Sequence, residues 1–390
     1  MSIERNLKRI CESNGVNATV STLADAFAAK KIRPGELSIR RMAETFIGSN
    51  WDSVLENRMG RVQESADSVS ASLFTAITGQ LLVNEIKEKY KLASFIGDSL
   101  CTTIPVTNGN LGTQKVPYLS DVRDVGEKLE EGEPYPQTQF AGQYITYPGV
   151  EKHGRICAVS MEAIFSDLTT QILDSARSVG QYLALTREYK ILQVALGITN
   201  NHSWNGTSYN TYVASGGSWV NKVATFSLTD WTSINSLEQL FVNMVDPITG
   251  YPILIEPKNI LVTPAQKYST RSIVNATEVR RTQPGYATTG GPIQNVSDNP
   301  LDRDYQILTS PHALKALTDS GVSAANSNIR VYLGDFQKAF VWREAKPLTI
   351  VEAPPLNPME FNQDIALAVK ASWMGVAGVR DPRFVVLGSE

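Results

Sequence analysis

Residues 160–197 read SMEAIFSDLTTQILDSARSVGQYLALTREYKILQVALG, and this stretch decides the fold. Apolar residues recur at helical spacing at Ile164, Leu168, Ile172, Ala176, Val179 and Leu183. The stripe then drifts to Tyr182, Leu185, Tyr189, Leu192 and Leu196. Asp174, Arg177, Gln181, Arg187, Glu188 and Lys190 read as a solvated face between them. Ser160 or Asp167 caps the start, a break falls near Ser166, and Gly197 ends the helix where a left-handed residue is needed. At 1.5 Å per residue the part after Asp167 is about 45 Å long. Such a helix is a spine against which other elements lie. A coiled-coil seam is the alternative, but no heptad continues beyond Gly197.

The chain has 390 residues, enough for two or three domains and a large core. A hydrophobic content of 42% with 19% charged residues is that of a globular protein. The net charge is -3, so the basic excess of a dedicated nucleic-acid binder is missing. Cys11, Cys101 and Cys157 are solitary, with no CxxC spacing, which fits a reducing compartment without zinc or disulfides. The opening MSIERNLKRICESNG has no apolar core of a signal peptide, and no run is long enough to span a bilayer.

Outward from the spine, residues 1–60 are helical in character, as a small subdomain or arm, with breaks at Pro34-Gly35 and Gly48. Ala71 to Tyr90 is an amphipathic helix carrying Leu73, Phe74, Ile77, Leu81, Leu82 and Ile86. Strand signals follow at Thr102 to Val106, Lys115 to Leu119 and within Gln143 to Ser160. Between the last two, Asp121, Asp124, Glu127, Glu130, Glu131 and Glu133 face only Arg123 and Lys128, a local net of -4. The segment reads as a long two-stranded excursion with an acidic tip. Such a hairpin is marginal alone, so something outside the subunit core must support it. A solvated loop is the plain reading of the charge run; an arm on a neighbouring subunit is the sharper one.

After the spine, ITNNHSWNGTSYNTYVASGGSW is a loop or short hairpin. Thr229-Asp230 caps a helix over 231–244, Asp246 to Gly250 is a turn, and Asn259 to Thr263 is a buried strand leading to a Pro264-opened helix. Thr282 to Pro300 is a long Gly/Pro/Asn-rich loop. Short strands follow at 305–309, 330–333, 340–343, 348–351, 364–373 and 384–387, with VEAPPLNPMEFNQD as a Pro-rich connection. The whole is α+β.

No catalytic, cofactor or metal pattern emerges. His153, His202 and His312 lie far apart in the sequence and read as ordinary surface or core residues. Asp302-Arg303-Asp304 is a DxD triplet beside Asn299-Pro300, where a turn is the better reading. Gly290-Gly291-Pro292 has no following GK[ST], and GxGxxG and GxSxG are missing. The glutamates of 127–133 lack the apolar pocket that raises a catalytic acid's pKa. Trp204, Tyr209 and Trp219 would stack bases only with cations interleaved, and Lys222 alone is there. A chain of this length without an active-site pattern reads as a structural protein, not an enzyme.

The order of these elements resembles the major capsid proteins of tailed bacteriophages, the Hong Kong 97-type fold shared with encapsulins and herpesvirus capsids. The acidic hairpin at Lys115 to Ser160 is similar to that family's E-loop. REYKILQVALG resembles the end of its spine helix, PKNILVTPAQKYSTRSIVNA its axial-domain strand-Pro-helix, and LGDFQKAFVWREAKPLTIVEA and DIALAVKASWMGVAGVRDPRFVVLG its closing strands. The resemblance covers about residues 71–387. It implies an N-terminal helical arm at 1–100, the E-loop and flanking strands at 101–158, and a P-domain with the spine at 159–228. An axial A-domain at 229–345 and strands returning to the P-domain at 346–390 complete it.

The resemblance further implies a head protein assembling as hexamers and pentamers into an icosahedral shell around double-stranded DNA, contacted non-specifically. Portal, scaffolding and decoration proteins would be partners, and assembly would occur in the host bacterial cytoplasm before the protein resides in the virion. No cofactor, metal or membrane is implied. Glu127, Glu130, Glu131 and Glu133 would seat on a basic patch of the next subunit, with Arg280 and Arg281 as the expected patch. Some members cross-link a hairpin lysine to an asparagine; Lys115, Lys128, Asn357 and Asn362 are present, but nothing selects them. The competing readings are an encapsulin-like nanocompartment, disfavoured by the long N-terminal region, and a metal-dependent enzyme using Asp302 and Asp304.

Overall fold

The computed structural model describes residues 3–14, 16–29, 37–51, 54, 66–91, 95–106, 111–117, 143–199, 202–216, 219–246, 250–283, 293–299, 301, 305–353 and 364–389. In chain order come helices α1 (Ile3–Asn14), α2 (Val16–Ala28), α3 (Ile39–Phe46), α4 (Ala66–Tyr90) and α5 (Gly97–Leu100). Strands β1 (Thr102–Pro105), β2 (Gln114–Pro117), β3 (Tyr144–Tyr147) and β4 (Glu151–Ser160) precede α6 (Met161–Phe165) and the spine, α7 (Thr169–Ala195). Next are β5 (His202–Trp204), β6 (Thr207–Tyr209), β7 (Lys222–Val223), α8 (Trp231–Val242), β8 (Asn259–Val262) and α9 (Lys267–Val274). The chain closes with β9 (Glu278–Gln283), β10 (Ile293–Asp298), β11 (Gln306–Thr309), α10 (Pro311–Asp319), α11 (Ala324–Ile329), β12 (Val331–Gly334), α12 (Phe336–Ala339), β13 (Phe340–Glu352), β14 (Ile365–Val379) and β15 (Val385–Gly388).

Two compact units form. The first comprises Met1–Ala93, Glu151–Thr186 and Lys346–Met374; the second comprises Ser94–Val150, Arg187–Ala345 and Gly375–Glu390. Boundaries therefore fall inside α7, β13 and β14, whose sequences carry both units.

In the first unit the spine meets α4. Ile77, Leu81, Leu82 and Ile86 of α4 and Ile172, Leu173, Ala176, Val179 and Leu183 of α7 are all buried. The two helices come close at Gly180, where an added Cβ would stand 2.4 Å from the Ile86 carbonyl oxygen. Arg177 does not face solvent alone, as the stripe reading implied. Its Nε donates to Glu85 at 2.5 Å and its Nη1 to Asp174 at 2.8 Å, and the Glu85 bond above all raises its pKa. Glu85 is buried, so this pair is held in a drier setting than a surface bridge. Trp373 of β14 donates from Nε1 to the Leu183 carbonyl, 3.2 Å away.

The helical break expected near Ser166 is present and has a cause. Asp167 adopts φ 50, and its carboxylate accepts from Ser38 Oγ and Thr169 Oγ1 at 2.9 Å each. Thr169 Oγ1 in turn accepts the Ile39 N–H at 3.0 Å. The break thus pins the start of α3. Ser160 caps α6 by accepting from Ala163 N, whereas the Asp167 carboxylate takes hydroxyls, so the capping role assigned to either residue belongs to Ser160. Leu168 and Tyr182 also leave the apolar stripe: they are 38% and 51% exposed, and Arg155 lies 3.8 Å over the Tyr182 ring.

In the second unit the spine ends at Gly197 with φ 68. The Gly197 N–H donates to Val194 and the Ile198 N–H to Gln193, the paired bonds that close a helix through a left-handed residue. A five-stranded sheet of order β11-β8-β12-β15-β7 forms the core. β8, β12 and β15 are buried along their whole length, which is why they read as apolar runs without alternation. α8 buries Ile234, Leu237 and Phe241 and is capped by Asp230, which accepts from Thr232 N. Asn221, fully buried, donates from Nδ2 to the carbonyls of Thr211, Pro382 and Val385 and accepts the Val213 N–H.

Three further readings change. The segments 340–343 and 348–351 are one strand, β13; β1 pairs it in parallel only as far as Glu344, so Pro347 sits past that partner. Thr282 to Pro300 is not all loop. β9 and β10 pair antiparallel from Glu278↔Asp298 to Gln283↔Ile293, with residues 284–292 outside those described. The hairpin base is not two-stranded, since β2 and β3 belong to a four-stranded sheet.

Candidate inter-subunit site at the hairpin base

β2 and β3 pair antiparallel, Gln114↔Tyr147 through Pro117↔Tyr144, as the strand signals on either side of the acidic run require. The acidic run itself lies outside the described residues, and with it Glu127, Glu130, Glu131 and Glu133. The base has support within its own chain. β3 pairs with β5, and β5 with β6, giving a four-stranded sheet. The β5–β6 turn is Asn205-Gly206, with φ 50 and φ 84, the pair of left-handed residues a two-residue hairpin takes. The Asn205 side chain also accepts the Tyr144 N–H at 3.0 Å.

Aromatic side chains fill one end of this sheet. His202 is buried with Trp219 at 5.3 Å and Tyr209 at 6.5 Å between ring centroids, and Trp204 lies 6.0 Å from Tyr209. Burial pulls the His202 imidazole down to about 4, against a weaker opposing bond to the Val379 backbone. His202 and Trp219 belong to the core, while Trp204 and Tyr209 are half-buried.

A cleft of about 630 Å³ opens where the hairpin base meets β1, β13 and the chain before β15. Ile104, Val116, Ile145 and Tyr147 line its apolar side; Lys338, Arg343, Arg380 and Arg383 bring cations. Arg343, buried on β13, holds the hairpin base. Its Nη1 donates to the Pro148 carbonyl at 3.0 Å, its Nη2 to Gln114 Oε1 at 2.5 Å, and its guanidinium stands 5.5 Å from the Tyr147 ring. Burial lowers its pKa, the Tyr147 interaction opposing. Among the described residues Asp381 is the one carboxylate lining the cleft, and it is engaged bidentately by Arg383, Nε to Oδ1 at 2.9 Å and Nη2 to Oδ2 at 2.7 Å. Burial pulls Arg383 down to about 10.

Nearby, Glu188 corrects the sequence reading of a solvated face. It is 3% exposed and accepts the N–H groups of Ile96 at 3.1 Å and Gly97 at 2.8 Å, at the start of α5. Burial raises its pKa, the two backbone bonds opposing. Arg187 next to it bridges to Asp98 at 2.7 Å. A charge beside a tyrosine on a long helix carries no mark that separates it from its solvated neighbours, so sequence reasoning missed this clamp.

The remaining candidates scatter. Arg280 and Arg281 stand on β9 opposite Val296 and Asn295. Lys115 lies 4.5 Å over the Tyr144 ring, while Lys128, Asn357 and Asn362 fall outside the described residues, as do Asp302, Asp304 and Gly290-Gly291. His153 is 3.1 Å from Glu151 and lies tilted against Trp373, and His312 sits edge-on to Phe95 and Tyr189. Cys101 and Cys157 are buried, and burial pushes their thiols up to about 12 and about 11, which makes them inert. Among the described residues no three His, Cys, Asp or Glu group as metal ligands, and no helix is long and apolar enough to cross a membrane.

A family model described as phage capsid protein matches residues 145–388, well over half of the chain. No curated protein matches it. Among solved structures, the capsid of cyanophage P-SCSP1u is similar at 12% identity and a TM-score of 0.45, with 76% of this chain and 88% of that one covered. Gordonia phage Cozz is similar at 14% identity and 0.43, covering 77% and 88%. The virus-like particle from Pyrococcus furiosus is similar at 12% identity and 0.41, covering 78% and 97%.

Proposed function

The chain belongs to the phage capsid protein family, and from that premise we propose that it is the repeating subunit of a tailed-phage head, a closed icosahedral shell around double-stranded DNA. The family match, spanning β3 to β15, is the observation that carries this reading. The Hong Kong 97-type arrangement goes with it: an arm at 1–100, a hairpin at 101–158, a spine domain at 159–228, an axial domain at 229–345 and returning strands at 346–390. Hexamers and pentamers, portal, scaffolding and decoration proteins as partners, and assembly in the host cytoplasm belong to the same proposal.

Physical features suit such a subunit. Val242 and Leu254, 75% and 87% exposed, line one groove of about 340 Å³ in the second unit, and paired exposed apolar residues of this kind mark contact surfaces. Many weak contacts of this sort sum to a stable closed assembly. The acidic run seats on a basic patch of a neighbouring copy, for which Arg280 and Arg281 are the sequence's nominees.

Sedimentation of the full chain tests the reading. Wild type is expected to run as large particles, and Glu130→Lys with Glu131→Lys as folded, unassembled subunits. Normal particles from that double variant would remove the acidic run from the assembly mechanism.

A further inference from the structure

We propose that the cleft at the hairpin base is the seat that takes carboxylates from the 121–133 run of a second copy of this chain; the inference rests on the shell-subunit reading.

Charge is the first ground. Among the described residues, four cations line the cleft against one carboxylate, and that carboxylate is already bound by Arg383. Arg343 donates only to neutral oxygens, those of Pro148 and Gln114. Among the described residues no carboxylate oxygen lies within 4.0 Å of the side-chain nitrogens of Arg343, Arg380 or Lys338. A buried guanidinium without a counter-charge is costly, and the planar fork of arginine matches a carboxylate better than any other group a protein carries.

Space is the second ground. About 630 Å³ admits several side chains, and the apolar wall of Ile104, Val116 and Ile145 leaves the buried Arg343 in a partly dry setting. There an ion pair gains more than it would on an open surface. Arg380 and Lys338 stand exposed, where an incoming acid meets them first, and Arg343 lies deeper.

Complementarity names the occupant. The stretch 121–133 is the most acidic of the sequence, six acids to two bases. Docking it on Arg343 would also fix Gln114 and Pro148, so that seating the neighbour's run stiffens the base of the recipient's own hairpin.

The test uses two full-length variants, one reversing the cleft (Lys338→Glu with Arg380→Glu) and one reversing the run (Glu130→Lys with Glu131→Lys). Circular dichroism checks that each is folded; if the first is not, K338Q/R380Q replaces it in the single-variant comparison, and the mixing arm keeps to charge-reversed variants that fold. Each alone is expected to lower the sedimenting fraction by at least about tenfold, because the weakened contact repeats at every subunit. Mixed together, the two are expected to co-assemble, because each supplies the partner the other lacks. Normal assembly by the cleft variant overturns the proposal. So does a mixture that stays unassembled, and so does restoration of the run variant by R280E/R281E in place of the cleft variant. Failure of wild type itself to assemble defeats the shell reading instead.

Discussion

At the scale of single residues, the second unit carries a buried imidazole whose ionisation opposes the fold. His202 is 3% exposed, and burial holds it at about 4 against an ordinary value of 6.5. A folded-state value below the unfolded one means the unfolded chain takes up a proton that the folded chain refuses. The stability tied to neutral His202 is therefore complete above pH 6.5 and is lost as pH falls toward 4. Between pH 7.5 and 5 the loss is about 2 kcal/mol. Denaturant unfolding at the two pH values measures it, and His202→Phe, which keeps an aromatic ring beside Trp219 and Tyr209, is expected to remove that part of the pH dependence. An unchanged dependence in the variant would show that His202 is not the titrating group. Sequence reasoning placed His202 correctly as an ordinary core or surface residue but could not choose between the two. Its neighbours Trp219 and Val379 are brought to it by tertiary folding, as the Ile96 and Gly97 amides are to Glu188.

At the scale of elements, the spine was legible because its signals are local. Apolar spacing, the capping Ser160, the break at Asp167 and the terminal Gly197 all lie within one stretch of chain. What the spine leans on was not legible. The close approach of α7 to α4 turns on Gly180, a residue that looks like a blemish in a helix and is a contact surface. On an exposed helix Gly→Ala would stabilise by about 1 kcal/mol. Here the new methyl meets the Ile86 carbonyl, and overpacking of this kind costs about 1–3 kcal/mol. Gly180→Ala is thus expected to lower the thermal midpoint and Gly180→Val to lower it further; an alanine variant more stable than wild type would contradict the close packing. The β5–β6 hairpin shows the same division. Its Asn-Gly turn is written in the chain, while its pairing with β3 comes from a strand nearly 60 residues earlier and needed the structure to see.

At the scale of the molecule, composition limits the chain to a weakly acidic globular protein, and the order of its elements resembles a phage shell subunit before any side chain is placed. The family match agrees with that resemblance. The absence of an active-site pattern becomes intelligible in these terms, since a subunit that works by tiling needs surfaces, and surfaces leave faint marks in sequence. Charge is the mark that survives: an acidic run of net -4 in one segment, and in another place a cleft where Lys338, Arg343, Arg380 and Arg383 gather from three separate stretches. The first could be read directly. The second could not, because its members are up to 45 residues apart and are joined by β13, α12 and the turn before β15.

The central claim is that many copies of this chain close into a shell. Negative-stain electron microscopy of the purified full-length protein tests it most directly. Closed particles, or the pentameric and hexameric rings that build them, are the predicted result. A monodisperse monomer or dimer at every concentration would contradict it.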